Sequence, residues 1–165
     1  MIWTFKHFKE LTTSELYDIL TLRNKVFVVE QNCVYNDTDG KDKESWHLSG
    51  HIDNMLVAYV RILPPGLSYT EASIGRVVTD PAYRSHGHGI ELMKMAIEKT
   101  LSHFNVKNIR ISAQCYLLKF YSDLGFTAVG EEYLEDDIPH IEMLFGEEGG
   151  LNQPLNNQTL RPLNP

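Results

Sequence analysis

Between Ile74 and Gly89 the chain reads Ile-Gly-Arg-Val-Val-Thr-Asp-Pro-Ala-Tyr-Arg-Ser-His-Gly-His-Gly, and this stretch limits the fold more than any other. Residues 71–79 end in a β-branched run suited to a strand. Asp80-Pro81 stops it, because proline has no N–H for a sheet ladder. After two glycines, Ile90, Met93, Ile97, Leu101 and Phe104 recur at helical spacing and make one apolar face. A strand that turns tightly into an amphipathic helix requires that helix to cover a sheet. Glycines permit positive φ and close backbone approach. The exposed N–H groups at the helix start, with the helix dipole, form an anion site. Arg84 adds a forked donor of full positive charge. The chemistry implied is the holding of a diphosphate. Common nucleotide motifs do not fit: there is no Gly-Lys-Ser/Thr, and Gly87-His88-Gly89-Ile90-Glu91-Leu92 lacks a third glycine.

The flanking segments supply the rest of the sheet. Residues 2–8 alternate apolar and polar, predicting a first strand. Thr12 and Glu15 have capping-box spacing, and Leu16, Ile19, Leu20, Arg23 and Phe27 predict a helix to about residue 28. Residues 47–52 and 55–63 predict two strands joined at Asp53-Asn54. Beyond the central helix, residues 108–113 predict a strand. Leu117, Phe120, Tyr121 and Leu124 predict a short helix ended by Gly125. Residues 126–129 and 138–145 predict the last two strands. The order β-α-β-β-β-α-β-α-β-β gives an α/β (α+β) fold, a mixed sheet flanked by helices. Residues 1–145 are expected to form one domain, followed by a polar tail over 146–165.

Composition excludes several functions. The net charge of −7 argues against a general nucleic-acid binder. No apolar run is long enough to span a bilayer, and the N-terminus lacks a signal-peptide layout, so no membrane is expected and the protein is expected to be cytoplasmic. Cys33 and Cys115 stand in no metal or redox spacing. His47 and His51 are four apart in a strand-like segment without an H-E-x-x-H pattern, so no metal is expected.

The segment Arg84-x-x-Gly87-x-Gly89, after a strand ending Val-x-Asp-Pro, resembles the acyl-CoA loop of the GNAT (Gcn5-related) N-acetyltransferases. Phe120-Tyr121-Ser122-Asp123-Leu124-Gly125-Phe126 resembles that family's second signature, at the right interval. Residues 22–31, Asp39-Gly40-Lys41-Asp42 and residues 138–143 resemble the ElaA-type subgroup. The likeness covers about residues 1–145.

This resemblance implies a GNAT-like acyl-CoA N-acyltransferase fold and an enzyme that uses acetyl-CoA as acyl-donor cosubstrate. Val77, Val78 and Thr79 would lie along the pantetheine arm. Arg84, Ser85, His86, Gly87, His88, Gly89 and Ile90 would hold the pyrophosphate. Direct attack by a primary amine of a small molecule or peptide needs a base for the ammonium and an acid for the thiolate. Tyr121 stands where the family places that acid. On the fourth strand, where histone-acetylating members carry a glutamate, this chain has Ser73, and Glu30 after the first helix is the first choice of base. Gln31, His47, Arg76 and His140 are the expected acceptor-side residues. The acidic groups around residues 30–44 and 131–137 suggest a cationic acceptor, although Arg76 could also meet a carboxylate. A non-catalytic acyl-CoA-binding or interaction domain is the alternative reading, and a homodimer is left open.

Overall fold

The computed structural model describes residues 1–146, and the expected tail beyond Gly146 lies outside the described residues. The chain forms β1 (Ile2–His7), α1 (Thr13–Arg23), β2 (Trp46–Ile52), β3 (Met55–Leu63), β4 (Ala72–Thr79), α2 (His88–Phe104), β5 (Ile109–Gln114), α3 (Leu118–Asp123), β6 (Phe126–Glu135) and β7 (Ile138–Phe145). This is the expected order. Thr12 caps α1 as its sequence implies: its Oγ1 accepts from the Glu15 N–H at 3.2 Å, and the Glu15 carboxylate accepts from the Thr12 N–H at 2.8 Å. The helix does not end at Arg23 but widens into a π-helical turn over Asn24–Glu30, in which the Gln31 and Cys33 N–H groups reach carbonyls five residues back. Such turns are uncommon and often lie at functional sites. The β2–β3 hairpin closes on Asp53 and Asn54, both at positive φ, as the tightest hairpin turn requires.

β6 is longer than expected. The acidic run from Glu131 to Glu135 is strand rather than loop, and it forms the outer edge of the sheet. Charges on an exposed edge oppose pairing with another sheet. β6 turns into β7 through Asp136 and Asp137, again both at positive φ.

The seven strands lie in the order β1-β2-β3-β4-β5-β7-β6. All neighbours are antiparallel except β4 and β5. This mixed sheet is packed on both faces. Ala58, Val60 and Ile62 of β3 join Leu92, Met93 and Ala96 of α2 in the larger core. Burial of each large aliphatic side chain there contributes about 1.5–3 kcal/mol. Tyr59 of β3 and Val78 of β4 join Ile19, Leu22 and Val26 from α1 and its π turn in a second, smaller cluster.

Two features of β4 place the site. Its parallel pairing to β5 extends only over Ala72–Ile109 and Ser73–Arg110, after which the strands part. On its other edge, Gly75 pairs with Arg61 and Val78 with Tyr59, so Arg76 and Val77 stand opposite the single residue Val60. Arg76 sits in this bulge at φ 56°. A non-glycine residue held there costs about 1–3 kcal/mol and persists only where its surroundings fix it.

Candidate active site

Where β4 and β5 part, a cavity of about 610 Å³ opens. Ile74 to Val77 form one side and Ile111, Ser112 and Gln114 of β5 another. The π turn and the following segment contribute Phe27, Gln31 and Cys33, α3 contributes Tyr121, and the β6–β7 hairpin contributes Glu135, Asp136 and His140. Strands distant in sequence thus converge on one opening at a break in the ladder.

The glycine loop lies at the far end of β4. The Asp80 carboxylate caps the turn after the strand, accepting from the Ala82 N–H at 2.9 Å, and also accepts from Lys25 Nζ at 2.8 Å. Ser85 and Gly87 both have positive φ, and Gly87 starts α2 with no side chain capping it. A Cβ on Gly87 would meet nothing within 4 Å, so backbone conformation rather than crowding favours glycine there. A Cβ on Gly89 would meet Phe120 and Thr79 only at 4.0 Å. The protein itself therefore does not demand a glycine at 89, and the uncapped start of α2 suits an approaching anion. His86 Nδ1 donates to the Arg84 carbonyl at 2.7 Å, and the His86 and His88 rings stack.

Arg84 and Glu30 meet each other. Arg84 Nη1 and Nη2 donate to the two Glu30 oxygens at 2.7 and 3.1 Å, across partly exposed side chains. Glu30 therefore sits beside the glycine loop and is absent from the residues lining the cavity.

Tyr121 is almost fully buried and lines the cavity, with Phe120 and Phe126 meeting its ring edge to face. Its hydroxyl has no hydrogen-bond partner among the described residues. Burial pushes its pKa above the ordinary phenol value, so it stays protonated at neutral pH.

His140 Nδ1 lies 2.8 Å from the Ile138 carbonyl, which can only accept, so Nδ1 carries the proton. In the neutral ring, Nε2 then holds a lone pair with no partner among the described residues. The ring stacks on Tyr133, which belongs to a short chain with Ser112 and Glu135. Gln31 Nε2 reaches Gln114 Oε1 at 3.4 Å across the cavity wall.

His47 does not belong with these groups. It is buried beneath the sheet face that α1 covers and does not line the cavity. Its Nε2 donates to the Asp42 carbonyl at 3.1 Å, and its Nδ1 accepts from the Tyr59 hydroxyl at 2.8 Å. Both ring nitrogens are used within the fold, and the structure does not bring His47 to the cavity with Gln31, Arg76 and His140, where the sequence placed it.

His47 borders a buried ionic network that the sequence reading missed. Arg23 Nε and Nη1 donate to Asp37 and Asp42, each at 2.7 Å. Arg61 donates twice to Asp39, at 2.7 and 2.8 Å, and once to Asp42 at 3.0 Å. Arg76 Nε donates to Asp37 at 2.7 Å, and this ion pair holds the bulge residue in place. Arg23 stands on the apolar stripe of α1 and Arg61 between Val60 and Ile62, so each position already called for a buried carboxylate partner. The aspartates that looked like a lure for cations are neutralised inside the protein.

Comparisons with known proteins agree with this geometry. The model of the acetyltransferase (GNAT) domain matches residues 21–145. The chain belongs to the GNAT family, and its class is that of an acyltransferase drawing on acyl-CoA. It is 43% identical to protein ElaA of Escherichia coli, covering 86% of this chain and 94% of that one. A UPF0039 protein of Synechocystis is also 43% identical, over 87% of this chain and 94% of its own. The crystal structure of an acyl-CoA N-acyltransferase from Pseudomonas aeruginosa superposes with a TM-score of 0.84 at 43% identity, covering 88% of this chain and all of that one. That of E. coli ElaA superposes at 0.82 and 41%, covering 87% and 98%. Among the described residues, no helix is long and apolar enough to cross a membrane, and no His, Cys, Asp or Glu cluster could hold a metal ion.

Proposed function

We propose that the protein transfers an acetyl group from acetyl-CoA to a primary amine of a small molecule or peptide by direct attack. The observation that carries this reading is the parting of β4 from β5 beyond Ser73 and Arg110, with Tyr121 on the cavity it opens and the uncapped start of α2 at the end of β4. In this reading the amides of residues 85–90 and the Arg84 guanidinium hold the pyrophosphate. The backbone of Val77 to Thr79 lies along the pantetheine arm. Acetyl-CoA supplies an activated thioester, and the protein supplies placement and proton handling.

A primary amine with pKa about 10.4 is neutral in roughly one molecule in 2,500 at pH 7, a cost of about 4.6 kcal/mol. The group best suited to take that proton is His140, whose Nε2 lone pair is uncommitted. Glu30, engaged by both terminal nitrogens of Arg84, orients the phosphate-binding arginine in this account and leaves the amine to His140. Tyr121, protonated and without a competing partner, donates to the sulfur as charge gathers there. Gln31 lines the path of the acceptor. The acyltransferase unit is residues 1–145, and the two unpaired cysteines accord with a cytosolic enzyme.

The reading is tested by following thiol release from acetyl-CoA across a panel of amines, amino acids, polyamines and peptides. Amine-dependent release with a matching N-acetyl product supports it. Tight acetyl-CoA binding with no release on any amine would favour a non-catalytic acyl-CoA-binding domain.

A further inference from the structure

The cavity lining is not uniformly acidic, and its charges point to a substrate class. Asp39, which lines it, is occupied: it accepts two bonds from Arg61 and one from the Lys41 backbone N–H at 3.1 Å, and lies 3.6 Å from Arg76 Nη2. Asp37 and Asp42 are likewise engaged by Arg23, Arg61 and Arg76. Three carboxylates therefore answer three guanidinium groups. One cation in this part of the lining is left over. Lys41 Nζ donates to the neutral Ser68 hydroxyl at 2.9 Å and pairs with no carboxylate among the described residues. Arg76 beside it spends Nε and Nη2 on Asp37 and its carbonyl, and Nη1 makes no hydrogen bond there. Both residues line the cavity and both are anchored around Asp39. Elsewhere in the same lining stand Glu135 and Asp136, near the uncommitted His140.

We propose, building on the acyl-transfer reading above, that the acceptor is an amine that also bears a carboxylate, seated by Lys41 and Arg76 with its amino group toward His140 and Glu135. Arg76 Nη1 and Lys41 Nζ offer charge-assisted donors to the carboxylate, while the acidic residues of the hairpin suit the ammonium. The backbone strain at Arg76 is in keeping with this assignment, since the bulge brings its guanidinium to the cavity. This replaces the purely cationic acceptor suggested by counting acidic residues.

The test uses matched probes: lysine against cadaverine, and phenylalanine against phenethylamine. Each pair is measured by calorimetry with the CoA-loaded enzyme and by thiol release with acetyl-CoA. The amino acid of each pair is expected to lead by about 10–100-fold in Kd and in kcat/KM, the span of one charged hydrogen bond or two. Lys41→Met should reduce that ratio by about 10-fold, and Lys41→Arg should keep most of it. Equal affinity and equal turnover within both pairs would overturn the carboxylate seat while leaving acyl transfer standing. A carboxylate preference in binding with no thiol release would uphold the seat and overturn the transfer reading. A ratio unmoved by Lys41→Met would overturn the assignment to these residues.

Discussion

His47 makes the stability of this enzyme sensitive to mild acid. The buried imidazole is held neutral, with Nε2–H on the Asp42 carbonyl and Nδ1 under the Tyr59 hydroxyl. Burial, aided by the nearby charges of Arg23 and Arg61, lowers its pKa from 6.5 to about 4. The unfolded chain therefore takes up a proton below about 6.5 that the folded chain refuses until about 4, and stability falls as pH falls through that window. At about pH 5 the unfolded imidazole is about 97% protonated and the folded one about 9%, a difference worth about 2 kcal/mol relative to about pH 8. Asp39, Asp42 and Glu15 have lowered values, so their contributions are present above the ordinary carboxylate range and fade only below it. The carboxylate window lies mostly below the histidine one, so between about pH 8 and about pH 5 the histidine contribution dominates. Urea unfolding at a series of pH values should show wild-type stability falling by about 2 kcal/mol between about pH 8 and about pH 5 relative to a His47→Gln variant. Glutamine keeps a donor for the Asp42 carbonyl and an acceptor for Tyr59, so the variant should fold. Parallel curves for the two proteins would refute the reasoning.

Tyr121→Phe keeps the ring contacts and removes the hydroxyl that we propose protonates the thiolate, so turnover should drop about 10²–10⁴-fold with little change in acetyl-CoA affinity by calorimetry. His140→Gln should lower kcat by about 10²–10⁴-fold with little change in acetyl-CoA affinity, read from initial rates at saturating substrates and from calorimetry. Arg23→Met leaves Asp37 and Asp42 with one arginine each, Arg76 and Arg61, and removes a charged hydrogen bond from both, so it should cost about 1–3 kcal/mol, measured by urea denaturation.

The periodic parts of this fold are legible in the sequence because each depends on neighbours along the chain. The strands flanking Asp53-Asn54, the stripe from Ile90 to Phe104 and the Thr12–Glu15 box are local patterns, and the structure contains all three. The two glycine motifs also lie in continuous segments. What lies between distant segments was harder to read. The Arg23, Arg61 and Arg76 partnerships span 14 to 39 residues, and only the misplaced polarity of Arg23 and Arg61 in apolar runs signals them. His47 looked available because alternation along a strand says which face a side chain takes, not what covers that face. Glu30 looked like a free carboxylate because its partner Arg84 is 54 positions away. The acidic stretch of β6 looked like a loop because solvated edge strands and loops share a polar composition.

The central claim is that the gap beside β4 and the start of α2 together hold acyl-CoA. Calorimetric titration of acetyl-CoA into the wild-type protein and into Gly87→Asp tests it most directly. The variant puts a carboxylate and a side chain at a left-handed position where the pyrophosphate would lie, with the fold checked by circular dichroism. Saturable one-to-one binding to the wild type, weakened at least about 10-fold in the folded variant, is the predicted result. Equal affinity in both proteins, or no binding to the wild type, would contradict it.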